Sequence, residues 1–141
     1  MTQIITHALL WLLCMPSLLA GPPKVEGLKP DERVSVTLIY SEPAITKYKY
    51  VFSGSEVTIS ENGKTLGKLA ITAEDAVHID QHLWAVERGK KAGRSVMGAP
   101  VYTIKHESSG KTIGTWTYRI DEPKESRKPV LSLGELRKRL P

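Results

Sequence analysis

Six short runs of alternating apolar and polar residues, one longer stretch with apolar residues every three or four positions, and Asn-Gly and Ser-Gly turns predict an α+β fold. The expected architecture is a mainly antiparallel sheet of about six strands, with one long amphipathic helix on one face and a short C-terminal helix closing it.

Val34, Val36, Leu38 and Tyr40 alternate with Ser35 and Thr37, which gives a first strand one apolar face, and Glu42-Pro43 marks the turn out of it. Tyr48, Tyr50 and Phe52 alternate with Lys47 and Lys49, so the second strand has an aromatic face and a basic one. Val57 and Ile59 lead into Asn62-Gly63, residues that tolerate positive φ, with Leu66, Leu69 and Ile71 beyond, which is a hairpin signature. Thr72 and Asp75 then form a capping box, and Ala76, Ile79, Leu83 and Val86 recur at helical spacing, so a helix is expected from Ala73 to Arg88, closed by Gly89. Lys90 to Pro100 reads as a basic, glycine-bearing loop. Tyr102, Ile104 and His106, then Ser109-Gly110, then Trp116, Tyr118 and Ile120 give a second hairpin. Asp121 to Pro129 reads as a surface crossing, and Ser132 with Glu135 as a second capping box that opens a short helix with Leu133, Leu136 and Leu140 inward.

Gly63-Lys64-Thr65-Leu66-Gly67 in the first hairpin is echoed by Gly110-Lys111-Thr112-Ile113-Gly114 in the second. A duplicated hairpin-plus-helix unit explains this, and so does ordinary turn-exit chemistry before a strand. Neither copy is a phosphate-binding loop, because Thr58 and Lys105 stand where that motif needs a glycine.

The domain organisation follows from the first thirty residues. Ala8 to Ala20 is apolar apart from Pro16 and Ser17, too short to span a bilayer and followed by Gly21, so residues 1–20 read as a signal peptide cleaved after Ala20. Residues 21–30, with three prolines and two glycines, read as a tether, and 31–141 as a single globular domain. Taking 20 residues from 141 leaves 121, one domain's length. Loss of the leader removes Cys14, the one cysteine, and none of the formal net charge of +5. A disulfide-free exported domain suits a secreted or periplasmic protein, bacterial by preference, and no transmembrane segment is expected in the mature chain.

Three groups of residues are candidates for function. On the helical wheel Trp84 and Val77 point away from the Ile79 and Leu83 stripe, a second apolar direction that suits a protein partner or a covering C-terminal segment. Arg88, Lys90, Lys91 and Arg94 end the long helix with positive charge, complementing its dipole or holding an anion, and Arg137, Lys138 and Arg139 form a further basic cluster. His78 and His82, four apart on one helix, have metal-ligand spacing, but Ile79 stands where a metalloprotease helix carries glutamate. No nucleophile elbow or paired carboxylate is found, and no aromatic platform interleaves with the basic clusters, so neither enzyme chemistry, nor a cofactor, nor nucleic-acid binding is expected. The resulting expectation is a small exported non-catalytic binding module that recognises a protein partner through Trp84 or the tyrosine-bearing strand. The alternatives are an envelope protein that binds an anionic polymer or lipid head group through the basic loop, and a metal-binding protein or enzyme using His78 and His82.

Overall fold

The computed structural model describes residues 23–41, 44–89, 101–119 and 128–141. Among these residues the chain forms an antiparallel sheet of six strands and two helices: β1 (Glu32–Tyr40), β2 (Thr46–Ser53), β3 (Glu56–Glu61), β4 (Lys64–Ala70), α1 (Ala73–Gly89), β5 (Val101–Ser108), β6 (Lys111–Arg119) and α2 (Lys128–Lys138). The strand order is β4-β3-β2-β1-β5-β6, so the first four strands form a meander and the last two return to the far side of β1.

Alternation decides which residues go inside. Val34, Val36 and Leu38 of β1 lie opposite Phe52, Tyr50 and Tyr48 of β2, and Val36 also lies opposite Ile104 of β5. Apart from Tyr48, which is half-buried and packs against it, these side chains form one buried cluster with Val57, Ile59 and Tyr118. Ala76, Ile79 and Leu83 of α1 and Leu133 and Leu136 of α2 join the same cluster, so both helices sit on one face of the sheet. The start of α1 is set by its capping box: the Asp75 amide donates to Thr72 Oγ1 (3.1 Å) and the Thr72 amide to Asp75 Oδ2 (3.0 Å).

The C-terminal helix begins at Lys128, four residues before the expected cap at Ser132. Ser132 is buried inside the helix, and its hydroxyl is a hydrogen-bond partner of His82 Nδ1 rather than a cap. The expected tether also differs. Val25 is 1 % exposed and belongs to the core, with Leu28 packed against it. What holds this segment is Asp80, a buried carboxylate on α1 that accepts the amides of Val25 (2.6 Å) and Glu26 (3.0 Å). The packed unit therefore starts upstream of Asp31. The loop at Lys90 to Pro100, Ile120 and residues 121–127 of the expected crossing lie outside the described residues, while Lys128 and Pro129, expected at the end of that crossing, form the first turn of the helix.

The echoed pentapeptides occupy equivalent places. Asn62 and Gly63 have φ of 49° and 83°, and Ser109 and Gly110 have 50° and 78°, the paired positive values of a type I′ hairpin turn. A bulge follows each turn and leaves Leu66 and Ile113 unpaired and exposed. Each turn also binds the strand beside its hairpin in the same way. The Asn62 amide donates to the Lys47 carbonyl, and the Ser109 amide to the Asp31 carbonyl. Half a turn about an axis perpendicular to the sheet, through the Ser35–Val51 pair, thus carries β2-β3-β4 onto β1-β5-β6, and a helix follows each half. This recurrence reaches well beyond turn-exit chemistry.

The glycine closing each pentapeptide faces inward and leaves room for a large side chain. A Cβ on Gly67 would stand 2.9 Å from Leu140 Cδ2, and one on Gly114 would stand 2.4 Å from the Trp116 ring.

Candidate binding face

The helices cover one face of the sheet, and no described segment packs on the other. Its residues are the largely polar half of each alternation, with Val51 and Ile39 among them. One row across the strands reads Lys68, Thr58, Val51, Ser35, Lys105 and Thr115, and the next reads Thr65, Ser60, Lys49, Thr37, Thr103 and Thr117. Hydroxyls line up along the second row, with Thr103 Oγ1 and Thr117 Oγ1 3.3 Å apart. Tyr40, Tyr48, Tyr50, Phe52, Trp116 and Tyr118 all belong to the inward set, so the described outer positions carry no aromatic ring.

The outer face is electropositive. Lys47, Lys49, Lys68, Lys105 and Arg33 lie on it and are exposed, against the carboxylates of Glu56 and Glu107. Lys105 Nζ binds Glu107 Oε1 at 2.9 Å. That hydrogen bond and the Lys105 charge, reinforced by Lys49 and Arg33, hold the Glu107 carboxyl below the usual carboxylate range.

The basic residues at the C-terminus are spent inside the fold. The Arg137 guanidinium stacks 3.9 Å from the centre of the Tyr48 ring and reaches to 3.5 Å of the Tyr50 hydroxyl, while Tyr40 meets Tyr48 edge-on at 6.1 Å. Lys138 pairs with Glu135 at 3.0 Å. Arg139 donates to the Asp75 carboxylate through both terminal guanidinium nitrogens, Nη1 and Nη2, and, with the Thr72 amide, lowers its pKa.

Of the residues singled out from sequence, Val77 is 38 % exposed on α1, and the Trp84 side chain lies outside the described residues. So do the side chain of Arg88 and all of Lys90, Lys91 and Arg94. His78 and His82 do come together, their ring centroids 4.3 Å apart. However, His82 Nδ1 is engaged by Ser132, and among the described residues no group of three or more His, Cys, Asp or Glu could hold a metal ion. No helix among the described residues is long and apolar enough to cross a membrane.

Sequence reasoning missed two features. Asp80 reads as one more polar helix residue until the N-terminal segment is seen to fold over it. A groove of about 380 Å³ lies between that segment, the Gly54-Ser55 turn and the first turn of α1, with Glu26 its charged wall residue. The outer face was legible in part: Lys47 and Lys49 are the basic side of the tyrosine-bearing strand, but only the strand order brings Lys105 and Arg33 beside them.

Comparison with known protein families, curated proteins and solved structures finds no match for this chain.

Proposed function

We propose that this chain is a small exported, non-catalytic binding module that holds an anionic partner on the outer face of its sheet. The observation that carries the proposal is the placement of Arg33, Lys47, Lys49, Lys68 and Lys105, all exposed, against the carboxylates of Glu56 and Glu107 on one uncovered face of the described structure. Such a face is broad and nearly flat, so it suits a ligand that lies on it rather than one enclosed in a cleft. An export leader of the kind read in residues 1–20 would deliver the module to a compartment where anionic surface components are abundant.

Charge reversal at Lys49 and Lys105 tests this against reversal at Lys29 and Lys111, which changes the net charge equally but off the face. Retention on isolated envelope material at low salt should fall only for the first pair, and added salt should abolish retention of the parent protein. Equal loss from both pairs would mean that net charge alone is at work.

A second reading, a protein partner on α1, is supported by the exposure of Val77. Replacing Val77 by Asp and Trp84 by Ala would abolish capture of such a partner and leave retention on anionic material intact.

A further inference from the structure

Resting on the proposed outer-face site, we infer that its ligand is a linear acidic polysaccharide that runs across the strands and carries single negative charges at intervals of about 10 Å. The register sets this spacing. Lys68 is on β4, Lys49 on β2 and Lys105 on β5, so each successive lysine lies two strands further along the order β4-β3-β2-β1-β5-β6. With strands about 4.8 Å apart, the lysines recur roughly every 10 Å and span about 19 Å in all. They also alternate between two neighbouring rows, Lys68 and Lys105 in one and Lys49 in the other. The rows are two residues apart along each strand, roughly 7 Å, which leaves a strip for a chain whose charges project to alternate sides.

The residues between the lysines select among polyanions. Thr58, Ser60, Thr37, Thr103 and Thr117 supply hydroxyls that donate to and accept from sugar hydroxyls. The outer positions described have no aromatic ring for a base to stack on, which disfavours single-stranded nucleic acid. The three cations of the strip are ammoniums, point charges that match a carboxylate as Lys105 already does with Glu107 at 2.9 Å, and Arg33 lies one row outside the strip, whereas clustered phosphates are better met by guanidinium forks or backbone nests. Both edges of the sheet are bulged at Leu66 and Ile113, which spoils the ladder a β-strand partner would extend.

The test is titration of the full mature chain with hyaluronan oligosaccharides, which carry one carboxylate on every second sugar, followed by fluorescence anisotropy of an end-labelled oligomer. Oligomers with three carboxylates should bind, and those with one should not. A galacturonate oligomer with three carboxylates on consecutive sugars should bind about tenfold more weakly, because it reaches fewer of the lysines. Lys68→Ala, at one end of the strip, should weaken the three-carboxylate hyaluronan oligomer and make it equivalent to the two-carboxylate one. Equal affinity for the hyaluronan and galacturonate oligomers would overturn the spacing inference, as would tighter binding of single-stranded DNA or of phosphatidylglycerol vesicles. If Lys49→Ala and Lys105→Ala still abolish binding in those cases, the outer face stands as the site and only the ligand class fails. If neither variant affects any of these probes, the site itself is refuted, and the ligand inference with it.

Discussion

Replacing Asp80 by Ala should release the N-terminal segment, and the size of the effect can be bounded from the groups involved. The carboxylate accepts the Val25 amide at 2.6 Å and the Glu26 amide at 3.0 Å. If the segment stays docked in the variant, the buried Val25 amide has lost its acceptor, a cost of about 1–3 kcal/mol. If it undocks, the protein instead loses the burial of Val25, about 1.5–3 kcal/mol for a side chain that is 1 % exposed. The cheaper response prevails, and the variant also escapes the penalty of keeping a carboxylate out of water, so a net loss of about 1–2 kcal/mol is expected. That penalty has its own signature. Burial raises the Asp80 pKa, partly countered by the Val25 and Glu26 amides, so the folded state binds a proton more tightly than the unfolded chain does. The parent protein should therefore lose stability from this group as pH rises from the ordinary aspartate value through the higher folded one, and the variant should lack that component. Urea unfolding across this pH range gives the energies, and amide exchange at Val25 and Glu26 shows whether the segment has left. A variant within about 0.5 kcal/mol of the parent, with the Val25 amide still protected, would refute the role assigned to Asp80.

Gly114→Ala should destabilise by about 1–3 kcal/mol and shift Trp116 emission, because the new methyl meets a rigid ring at 2.4 Å. Gly67→Ala should cost less in the same urea assay, since its neighbour is the movable end of Leu140. Arg137→Ala should cost about 1 kcal/mol in thermal unfolding through loss of the stack on Tyr48, whereas Arg137→Lys should recover part of it. Arg139→Ala should weaken the acid resistance that Asp75 provides. The Asp75 pKa is lowered in the fold, so its contribution is present above the unfolded carboxylate value and lost as pH falls through the folded one, and the variant's acid-unfolding midpoint should move to higher pH.

Strand positions, both turns and the start of α1 were legible because they depend on neighbours in sequence: alternation, positive-φ residues at Asn62-Gly63 and Ser109-Gly110, and the Thr72–Asp75 box. Long-range partners were not legible. Val25 looks like part of a proline-bearing tether until Asp80, 55 positions away, supplies its acceptor. Ser132 looks like a helix cap by local pattern, but His82, 50 positions away, engages its hydroxyl while the helix starts earlier. The candidate face shows the same division. Lys47 and Lys49 stand out within one strand, whereas grouping Lys49 with Arg33 and Lys105 requires knowing that β5 returns to pair with β1. The echo of the two pentapeptides was visible, and the half-turn relating them depends on registers that no local pattern records.

That return of β5 to β1 also sets an order of assembly. The meander from β1 to β4 is built from adjacent hairpins and can close as soon as it is made, but one edge of β1 stays open until β5 arrives from beyond α1. During that interval the apolar run at Val34, Val36 and Leu38 borders an unpaired ladder at what will be the centre of the sheet. A chain shortened to end within α1 would keep that edge exposed for good, and self-association through β1 is its expected fate.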